Sequence, residues 1–372
     1  MGSTETVVWK CDRGTRAKLE VLQCYLGAWF NILAAREVRD VIYFDSFCGP
    51  GEYEDGTKGS PVLAAQLANS AVHKFASFRV HMICLDKKAG VVKHLEKLKA
   101  VQNHHPKVLI DIRIGEFARE ITEILDSGRY DKRWPIFSFV DPFGFSDFSF
   151  STLQTLMRNQ SSEVFINLFC GFMNRFVDHP DGQVRQAIGD LIGSENLGRV
   201  AASSDGIAEI CKVFEEKLRT LGPHVRRFMM RDENNTRDNA LFFCGRNERG
   251  LEKIKEAMWK VDPISGATFS EYGARRNERA PSLLGPEERQ TYPLRRALID
   301  NFAGRTDVTM SELKEWVIVK TDTFLPTHLR IQLEELHKAG RITYVDPRPT
   351  GRRRRSGDWP ERLQISFRSE DV

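Results

Sequence analysis

The sequence lacks the features that mark several large classes of protein. No apolar run approaches the roughly 18–20 residues that a membrane-spanning helix requires, and the amino terminus has no apolar core of a secretory signal. The seven cysteines are dispersed and form no CxxC pair, so the spacing of a structural zinc site is missing. An odd, scattered set of cysteines is typical of reduced thiols. We therefore expect a cytoplasmic protein with no membrane partner and no metal.

A strong charge of one sign is also missing. The 372 residues include 55 lysines and arginines against 51 aspartates and glutamates, which gives a net charge of +4. Residues 290–372 hold 15 of the basic and 12 of the acidic residues, so this segment alone carries +3. With 41% hydrophobic and 28% charged residues, the composition is that of a globular chain long enough for two domains.

Strands and helices alternate along residues 1–262, which we predict to form the first domain. After a helix at 15–35, apolar runs predict strands at 41–45, 78–86, 108–117, 135–145 and 161–172. Such alternation is typical of a parallel sheet covered by helices on both faces. Residues 224–250 predict an antiparallel hairpin. Five parallel strands completed by a hairpin indicate an α/β fold with a Rossmann-like class I methyltransferase sheet, because an NAD-binding Rossmann sheet lacks the reversed strand.

The remainder of the chain predicts a linker and a second domain. Residues 263–289 are rich in proline, glycine and arginine and lack periodicity, which indicates a linker. Residues 290–372 contain three helical segments followed by two short strands, at 341–345 and 363–367. This order is typical of a winged helix-turn-helix domain.

Acidic residues stand at four predicted strand ends: Asp45, Asp86, Glu116 and Asp141. In an open parallel α/β sheet, ligands bind outside the carboxyl ends of the strands, so we expect these acids to line one edge. Asp86 suits a ribose, because its two acceptor oxygens match two hydroxyl donors. Glu116 is placed to contact a purine edge, and Asp45 is placed to bind turn amides or a ligand ammonium. The alternative is that the acids are turn formers and helix caps.

A glycine-rich turn, DSFCGPG, follows the first strand at residues 45–51. Gly49 and Gly51 allow the backbone to approach a ligand where a Cβ atom would obstruct it. The chain then continues with the acidic loop EYEDG, which would repel the pyrophosphate that GxGxxG motifs bind. Acidic side chains beside a glycine-rich turn suit a ligand that joins an adenosine to a cationic amino-acid tail. We therefore predict S-adenosylmethionine (SAM) as cofactor, with Phe47, Gly49 and Gly51 among its contacts.

A second motif, VDPFGF, begins at Val140. Asp141, Pro142, Phe143 and Gly144 partly match the Asp-Pro-Pro-aromatic motif of amino-methyltransferases. There the acid and a backbone carbonyl hold the target amino group while the aromatic ring stacks on a flipped base. The alternative is that the phenylalanines of this segment are core residues. DSFCGPG also resembles a motif of C5-cytosine methyltransferases, but no cysteine follows a proline here, so we reject that chemistry.

Taken together, the motifs resemble those of the three-Cys-motif partner proteins. The resemblance is carried by TRAKLE and YLGAW in the first helix, by YFDSFCGPG with GSP, and by FVDPFG and FINLF. It implies a SAM-dependent methyltransferase-like protein that works with a radical-SAM-like protein bearing a three-cysteine motif. Cys48 replaces the alanine usual in that family. We do not expect Cys48 to act as a nucleophile.

The predicted winged helix suggests a nucleic-acid contact. Its third helix carries Thr327, His328, Arg330 and Gln332, which we expect to face bases. The predicted wing carries four consecutive arginines suited to phosphates, namely Arg352, Arg353, Arg354 and Arg355. Docking to a partner protein is the alternative use of such a domain. We therefore expect methyl transfer to a DNA or RNA base or to a partner-bound substrate. The alternative is a non-catalytic sensor or scaffold that binds SAM or a nucleotide.

Overall fold

The computed structural model of the chain describes residues 7–232, 234, 237–270, 291–346 and 359–369. The described residues form two compact units. The first contains the residues up to 261 together with 267–270, and the second contains 262–266 and the residues from 291 onward.

The first unit is built on one mixed sheet of eight strands in the order β3-β2-β1-β4-β5-β7-β6-β8. Strands β1 to β5 run parallel, and β7 runs antiparallel to both β5 and β6. This is the strand order of the class I methyltransferase sheet, so the predicted fold class is confirmed. The strands are β1 Asp40–Asp45, β2 Arg79–Asp86, β3 Val108–Ile114, β4 Ile136–Val140, β5 Ser162–Leu168, β6 His224–Arg231, β7 Arg237–Gly245 and β8 Thr268–Ser270.

One strand lies where the sequence predicts a linker. Residues 268–270 form β8, which pairs in parallel with β6, so the linker interpretation is wrong for these three residues. The physical reason is that the edge of β6 presents unpaired backbone groups, and a short extended segment can satisfy them without any periodicity of its own.

Helices cover both faces of this sheet because alternate strand residues leave on opposite sides. Ile42 and Phe44 of β1 join a large apolar cluster with the helices that follow β3, β4 and β5. Tyr43, between them, stacks on Phe137, against which Tyr25 of α1 also packs. The helices are α1 Arg13–Ala35, α2 Ser60–Lys74, α3 Ala89–Lys97, α4 Lys99–Gln102, α5 Phe117–Asp126, α6 Phe150–Leu156, α7 Cys170–Phe176, α8 Gly182–Ile192, α9 Leu197–Ala201, α10 Gly206–Arg219 and α11 Glu248–Val261.

Helices α7 to α10 have no counterpart in the sequence analysis, which assigns no element between the fifth strand and the hairpin. Two of them have side-chain N-caps: Asp181 accepts from the backbone of Gln183, and Asp205 accepts from Ala208. Together with the apolar face of α10, these caps are the signals that identify the segment as helical.

The second unit contains three helices and a small sheet. Its elements are α12 Tyr292–Phe302, β9 Val308–Thr309, α13 Met310–Lys320, α14 Pro326–Lys338, β10 Ile342–Val345 and β11 Gln364–Phe367. The three predicted helices and both predicted strands are present, and β9 completes an antiparallel sheet in the order β10-β11-β9. The predicted wing, with Arg352 to Arg355, lies outside the described residues, so the winged helix stays a prediction.

In the part of the chain that the structure describes, every helix is too short or too polar to cross a lipid bilayer.

The turn between β1 and α2 requires glycine for reasons of its own. Gly49 and Gly51 have φ angles of 61° and 84°, in the left-handed region that other residues rarely adopt. A Cβ atom on Gly51 would lie 2.6 Å from Leu95 and 2.8 Å from Leu98. Backbone conformation and packing therefore select glycine here, in addition to the predicted approach of a ligand.

Replacing Gly51 by alanine tests this packing. Gly51→Ala adds left-handed strain to a clash with the buried Leu95 and the half-buried Leu98, so we expect it to lower the free energy of unfolding by roughly 2–5 kcal/mol. Gly56→Ala is the matched control, because Gly56 has a φ of 80° and no atom within 4 Å of its added Cβ. It should cost only about 1–2 kcal/mol. Urea unfolding of both variants measures the difference, and equal losses would contradict the packing argument.

Candidate active site at the carboxyl edge of the sheet

Two neighbouring cavities open at the carboxyl ends of the parallel strands. The β2–β3 cavity has a volume of about 170 Å³, and Asp86 and Glu116 are among the residues that line it. The β1–β4 cavity has a volume of about 260 Å³, and its lining includes Asp141 and the turn after β1. Phe47 and Phe143 line both. Asp86, Glu116 and Phe47 therefore lie at the same edge as Asp141 and Phe143.

Asp86 ties the glycine turn to the second strand. Its Oδ1 accepts a hydrogen bond from the backbone of Lys88 at 2.8 Å, and its Oδ2 accepts one from Gly49 at 3.3 Å. Burial raises the pKa of Asp86, and these two backbone donors oppose the rise. Each carboxylate oxygen has two acceptor sites, so Asp86 retains capacity for further donors from the β2–β3 cavity.

Glu116 lies at the opening of the same cavity. It is the exposed residue that immediately precedes α5. Phe117, the first residue of that helix, is buried and packs edge-on against Phe47 at 5.5 Å between ring centroids. The β2–β3 cavity thus combines a buried carboxylate, an exposed carboxylate and an aromatic wall.

Asp45 lies under the turn and lines neither cavity. It is fully buried, and its Oδ2 accepts a hydrogen bond from the Tyr43 hydroxyl at 2.8 Å. Its Oδ1 has no hydrogen-bond partner of good geometry among the described residues. Burial raises the pKa of Asp45 to about 7, although the hydroxyls of Ser60 and Tyr43 favour the charged form. The structure therefore does not bring Asp45 to the cavity surface with Asp86 and Glu116.

Asp141 is held by two side chains. The ammonium of Lys18, on α1, forms an ion pair with Oδ2, and Asn167 donates to Oδ1 at 2.8 Å. Asn167 in turn accepts a hydrogen bond from Asn239 on β7. Side-chain exposure is 12% for Lys18 and 19% for Asp141, so water screens their attraction little. The carboxylate is therefore fixed in direction at the border of the β1–β4 cavity.

Phe143 differs from the other phenylalanines of its segment in its exposure to solvent. Phe145, Phe148 and Phe150 are buried, so the core interpretation holds for them. Phe143 is 52% exposed, lines both cavities, and meets the Trp9 ring edge-on at 5.3 Å. Its backbone N–H donates to Asp147, which is bound by Lys87 at 2.8 Å, so the loop is anchored. Of the other motif residues, Pro142 lines the β1–β4 cavity and Gly144 lines neither.

Several residues of the β1–β4 cavity are absent from the sequence analysis. They are Trp9, Lys18 and Tyr53, with Asn167 behind Asp141. Of these residues, only Asn167 could be identified from the sequence, because a polar residue in the apolar strand FINLF requires a hydrogen-bond partner. Lys18 is indistinguishable in sequence from any other lysine on an amphipathic helix.

Cys48 also lines the β1–β4 cavity, where it is buried. Burial raises the pKa of its thiol well above the ordinary value, and the nearby acids add to the rise. A thiol held in the protonated form is a poor nucleophile. The described residues hold no cluster of three or more His, Cys, Asp or Glu side chains suited to a metal ion.

In the second unit, the predicted base-reading face of α14 needs one correction. Gln332 is fully buried, donates to the Thr291 hydroxyl at 2.7 Å and accepts from Arg295 at 3.0 Å. It cannot face a base, because its amide is used within the core of the unit. His328 accepts from the backbone of Leu325 at 3.1 Å and so helps to cap the helix. Arg330 remains exposed.

Comparison with known proteins adds only weak likenesses. No protein-family model matches the sequence, and no curated protein is similar to it. Among solved structures, an O-methyltransferase from Bacillus cereus in complex with SAH has a TM-score of 0.33 and 12% identity, covering 62% of this chain and 91% of that one. A DUF574 family protein from Streptomyces avermitilis has a TM-score of 0.36 and 12% identity, covering 63% and 84%.

A methyltransferase subunit of a type I restriction-modification system from Streptococcus thermophilus has a TM-score of 0.32 and 9% identity, covering 64% of this chain and 45% of that one. Because these likenesses are weak, the fold assignment rests on the strand order. The resemblance to three-Cys-motif partner proteins stays a prediction.

The buried carboxyl of Asp45 predicts a pH dependence of stability. Its pKa is about 7 in the folded chain and about 3.9 in an unfolded one. The folded state therefore binds the extra proton between these values, and stability falls as the pH rises from about 4 to about 7, by up to the order of 4 kcal/mol.

Asp45→Asn should remove this contribution. Urea unfolding of the wild type and the variant at pH 5 and pH 8 measures it, with the exposed Asp190→Asn as control. We expect Asp45→Asn to lose less stability between the two pH values than the wild type does. An identical loss in all three proteins would show that Asp45 titrates normally.

Proposed function

We propose that the first unit is a SAM-dependent methyltransferase. The observation that carries the proposal is that Asp86 and Glu116 line a cavity adjoining the one that Asp141 borders, on a sheet with class I methyltransferase strand order. SAM supplies an activated methyl group on a sulfonium. The lining of the β2–β3 cavity fits the adenosyl end of SAM, and the lining of the β1–β4 cavity fits its amino-acid end.

The β2–β3 cavity suits the adenosyl end. Asp86 has free acceptor capacity beside its two backbone donors, which is what two ribose hydroxyls require. Glu116 offers a carboxylate to the amino edge of a purine, and Phe47 offers an aromatic wall. Among the residues that the structure describes, Lys87 is the one lysine or arginine that lines this cavity, and it is paired with Asp147. The lining therefore favours a nucleoside over a nucleotide.

The β1–β4 cavity suits the amino-acid end and the acceptor. Gly49 and Gly51 line it, and Glu52 and Asp141 provide negative charge toward a sulfonium and an ammonium, beside Lys10 and the Lys18 that pairs with Asp141. Asp141 would orient an acceptor amine through its remaining lone pairs. Because both its oxygens are already engaged, we assign it a positioning role, in agreement with catalysis by orientation.

A planar acceptor would suit this cavity best. The exposed ring of Phe143, braced by Trp9, provides a face on which a base can stack. This supports a nucleic-acid base as acceptor, with Arg330 and the arginines at 352–355 as contacts to the polymer. A substrate carried by a three-cysteine-motif, radical-SAM-like protein is the other form of the proposal.

One observation favours a second candidate, a non-catalytic SAM sensor. The ammonium of Lys18 already occupies Oδ2 of Asp141, where an acceptor amine would bind. If Lys18 remains there when SAM is bound, the chain holds the cofactor without transferring its methyl group. Incubation with labelled SAM and mixed DNA, RNA and the three-cysteine-motif protein distinguishes the two, because only the enzyme labels an acceptor.

Loss of Asp86 should weaken cofactor binding. Asp86→Asn removes charge-assisted hydrogen bonds to the ribose, so we expect the Kd for SAM to rise about 10- to 100-fold. Isothermal titration calorimetry measures it. Glu123→Gln is the control, because it removes one exposed acid of α5 that lines neither cavity. Absence of SAM binding by the wild type would reject both candidates.

Loss of Asp141 should separate binding from transfer. In Asp141→Asn, Asn167 and the cavity shape remain but the acceptor loses its charged partner, so methyl transfer should fall at least about 100-fold. The Kd for SAM should change less than threefold. Labelled-methyl transfer and calorimetry on the same preparation provide both values. A parallel loss of SAM binding would show that Asp141 serves the cofactor and not the acceptor.

A further inference from the structure

A third cavity lies at the opposite edge of the same sheet. Its volume is about 290 Å³. It is lined by residues near the starts of β4 and β5 and the end of β7, and by residues of α1 and α11. Ser162 and Glu163 are the first two residues of β5 and lie at this edge, whereas Asn167 lies near the other end of the strand beside Asp141. At about 3.3 Å per residue, five residues place the two edges about 17 Å apart. We call this the strand-start cavity. It is independent of the proposed methyl-transfer site.

Four of the residues that line the cavity are basic. Arg36, at the end of α1, is exposed, and the described residues provide no carboxylate partner for it. Arg249 and Lys253 lie one turn apart on α11 and are paired with Glu252 and Glu256, neither of which lines the cavity.

Arg246 completes the set. Its guanidinium donates to the carbonyls of Asn159 and Met157, both at 2.9 Å, so it is held in place without being neutralised. Four basic side chains thus surround one opening, and two of them, Arg36 and Arg246, have no carboxylate partner among the described residues.

The one carboxyl group in the lining does not cancel this charge. Glu163 is buried and accepts a hydrogen bond from Tyr25 at 2.6 Å. Burial raises its pKa to about 7, so near neutral pH it is protonated in part. In that form it has a proton to donate.

A buried hydroxyl is a second, independent sign of a ligand. Ser162 is 1% exposed and lines the cavity, and its Oγ has no hydrogen-bond partner among the described residues. Buried polar atoms without partners are rare in proteins, since each one adds an unfavourable desolvation term. A molecule that reaches the Ser162 hydroxyl through the cavity would supply its missing partner.

We propose that the strand-start cavity binds a small organic phosphate, a phosphate monoester with an aromatic or apolar group. The two cations without a carboxylate partner, Arg36 and Arg246, match a group that carries between one and two negative charges better than they match a single carboxylate. Trp29, Ile32, Leu33 and Val38 form an apolar wall next to the cations, which suits the organic part. A cavity of this size is near the lower limit for ligand sites, as a small molecule requires.

Phenyl phosphate is a direct probe, because it carries the proposed chemistry and no nucleoside. By isothermal titration calorimetry we expect phenyl phosphate to bind, inorganic phosphate to bind at least tenfold more weakly, and phenol not to bind. Saturating SAM should leave the affinity unchanged, since the cavities are separate. Equal affinity for phenol and phenyl phosphate, or no binding of phenyl phosphate at millimolar concentration, would overturn the proposal.

Two variants locate the binding. Arg36→Gln should raise the Kd for phenyl phosphate at least tenfold. Arg39→Gln makes the same charge change three residues away, outside the cavity, and should leave it unchanged. Ser162→Ala should raise the Kd about threefold or more while raising the Tm of the ligand-free protein, because an unsatisfied hydroxyl is removed. A Kd that neither Arg36→Gln nor Ser162→Ala changes would place binding elsewhere and refute the site.

Discussion

The parallel register of β1 with its two neighbours is the constraint on which the site depends. Asp45 pairs with Cys84 of β2 and with Phe139 of β4, so Asp86 and Asp141 each lie two residues beyond it at the same edge. Three carboxylates are thereby concentrated at the ends of three adjacent strands. Like charges brought together in a partly buried place repel one another, and the fold must compensate each of them.

Each carboxylate is compensated in a different way, and this separates their roles. Asp45 is buried away from the cavities, and its pKa of about 7 reduces its charge. Asp86 keeps its place through two backbone donors, which also close the glycine turn against β2. Asp141 is balanced by Lys18 and oriented by Asn167. Only the last two therefore present charge to a ligand, one at each cavity.

Sequence patterns predict the features that neighbouring residues determine, and they miss the contacts between residues that lie far apart in the chain. Apolar runs with acidic ends located the strands, the sheet type and the positions of Asp86 and Asp141, because periodicity and turn chemistry are properties of neighbouring residues. The partner of Asp141 comes from position 18, and no spacing rule connects the two. Gln332 shows the converse error, because a polar residue on a helix predicts a surface position, whereas its amide donates to Thr291 inside the core.

Helix α1 is common to both edges of the sheet. It contributes Lys18 to the β1–β4 cavity near its start, and Trp29 and the adjoining Arg36 to the strand-start cavity near its end. At about 1.5 Å per residue, the 18 positions from Lys18 to Arg36 span about 27 Å. The interior of α1 packs on Phe137 through Tyr25, and the same Tyr25 donates to Glu163. Because Tyr25 fixes the middle of α1 against β4 and β5, the same packing determines the backbone positions of Lys18 and Arg36. The ion pair at one edge and the basic opening at the other are therefore set by the same helix position.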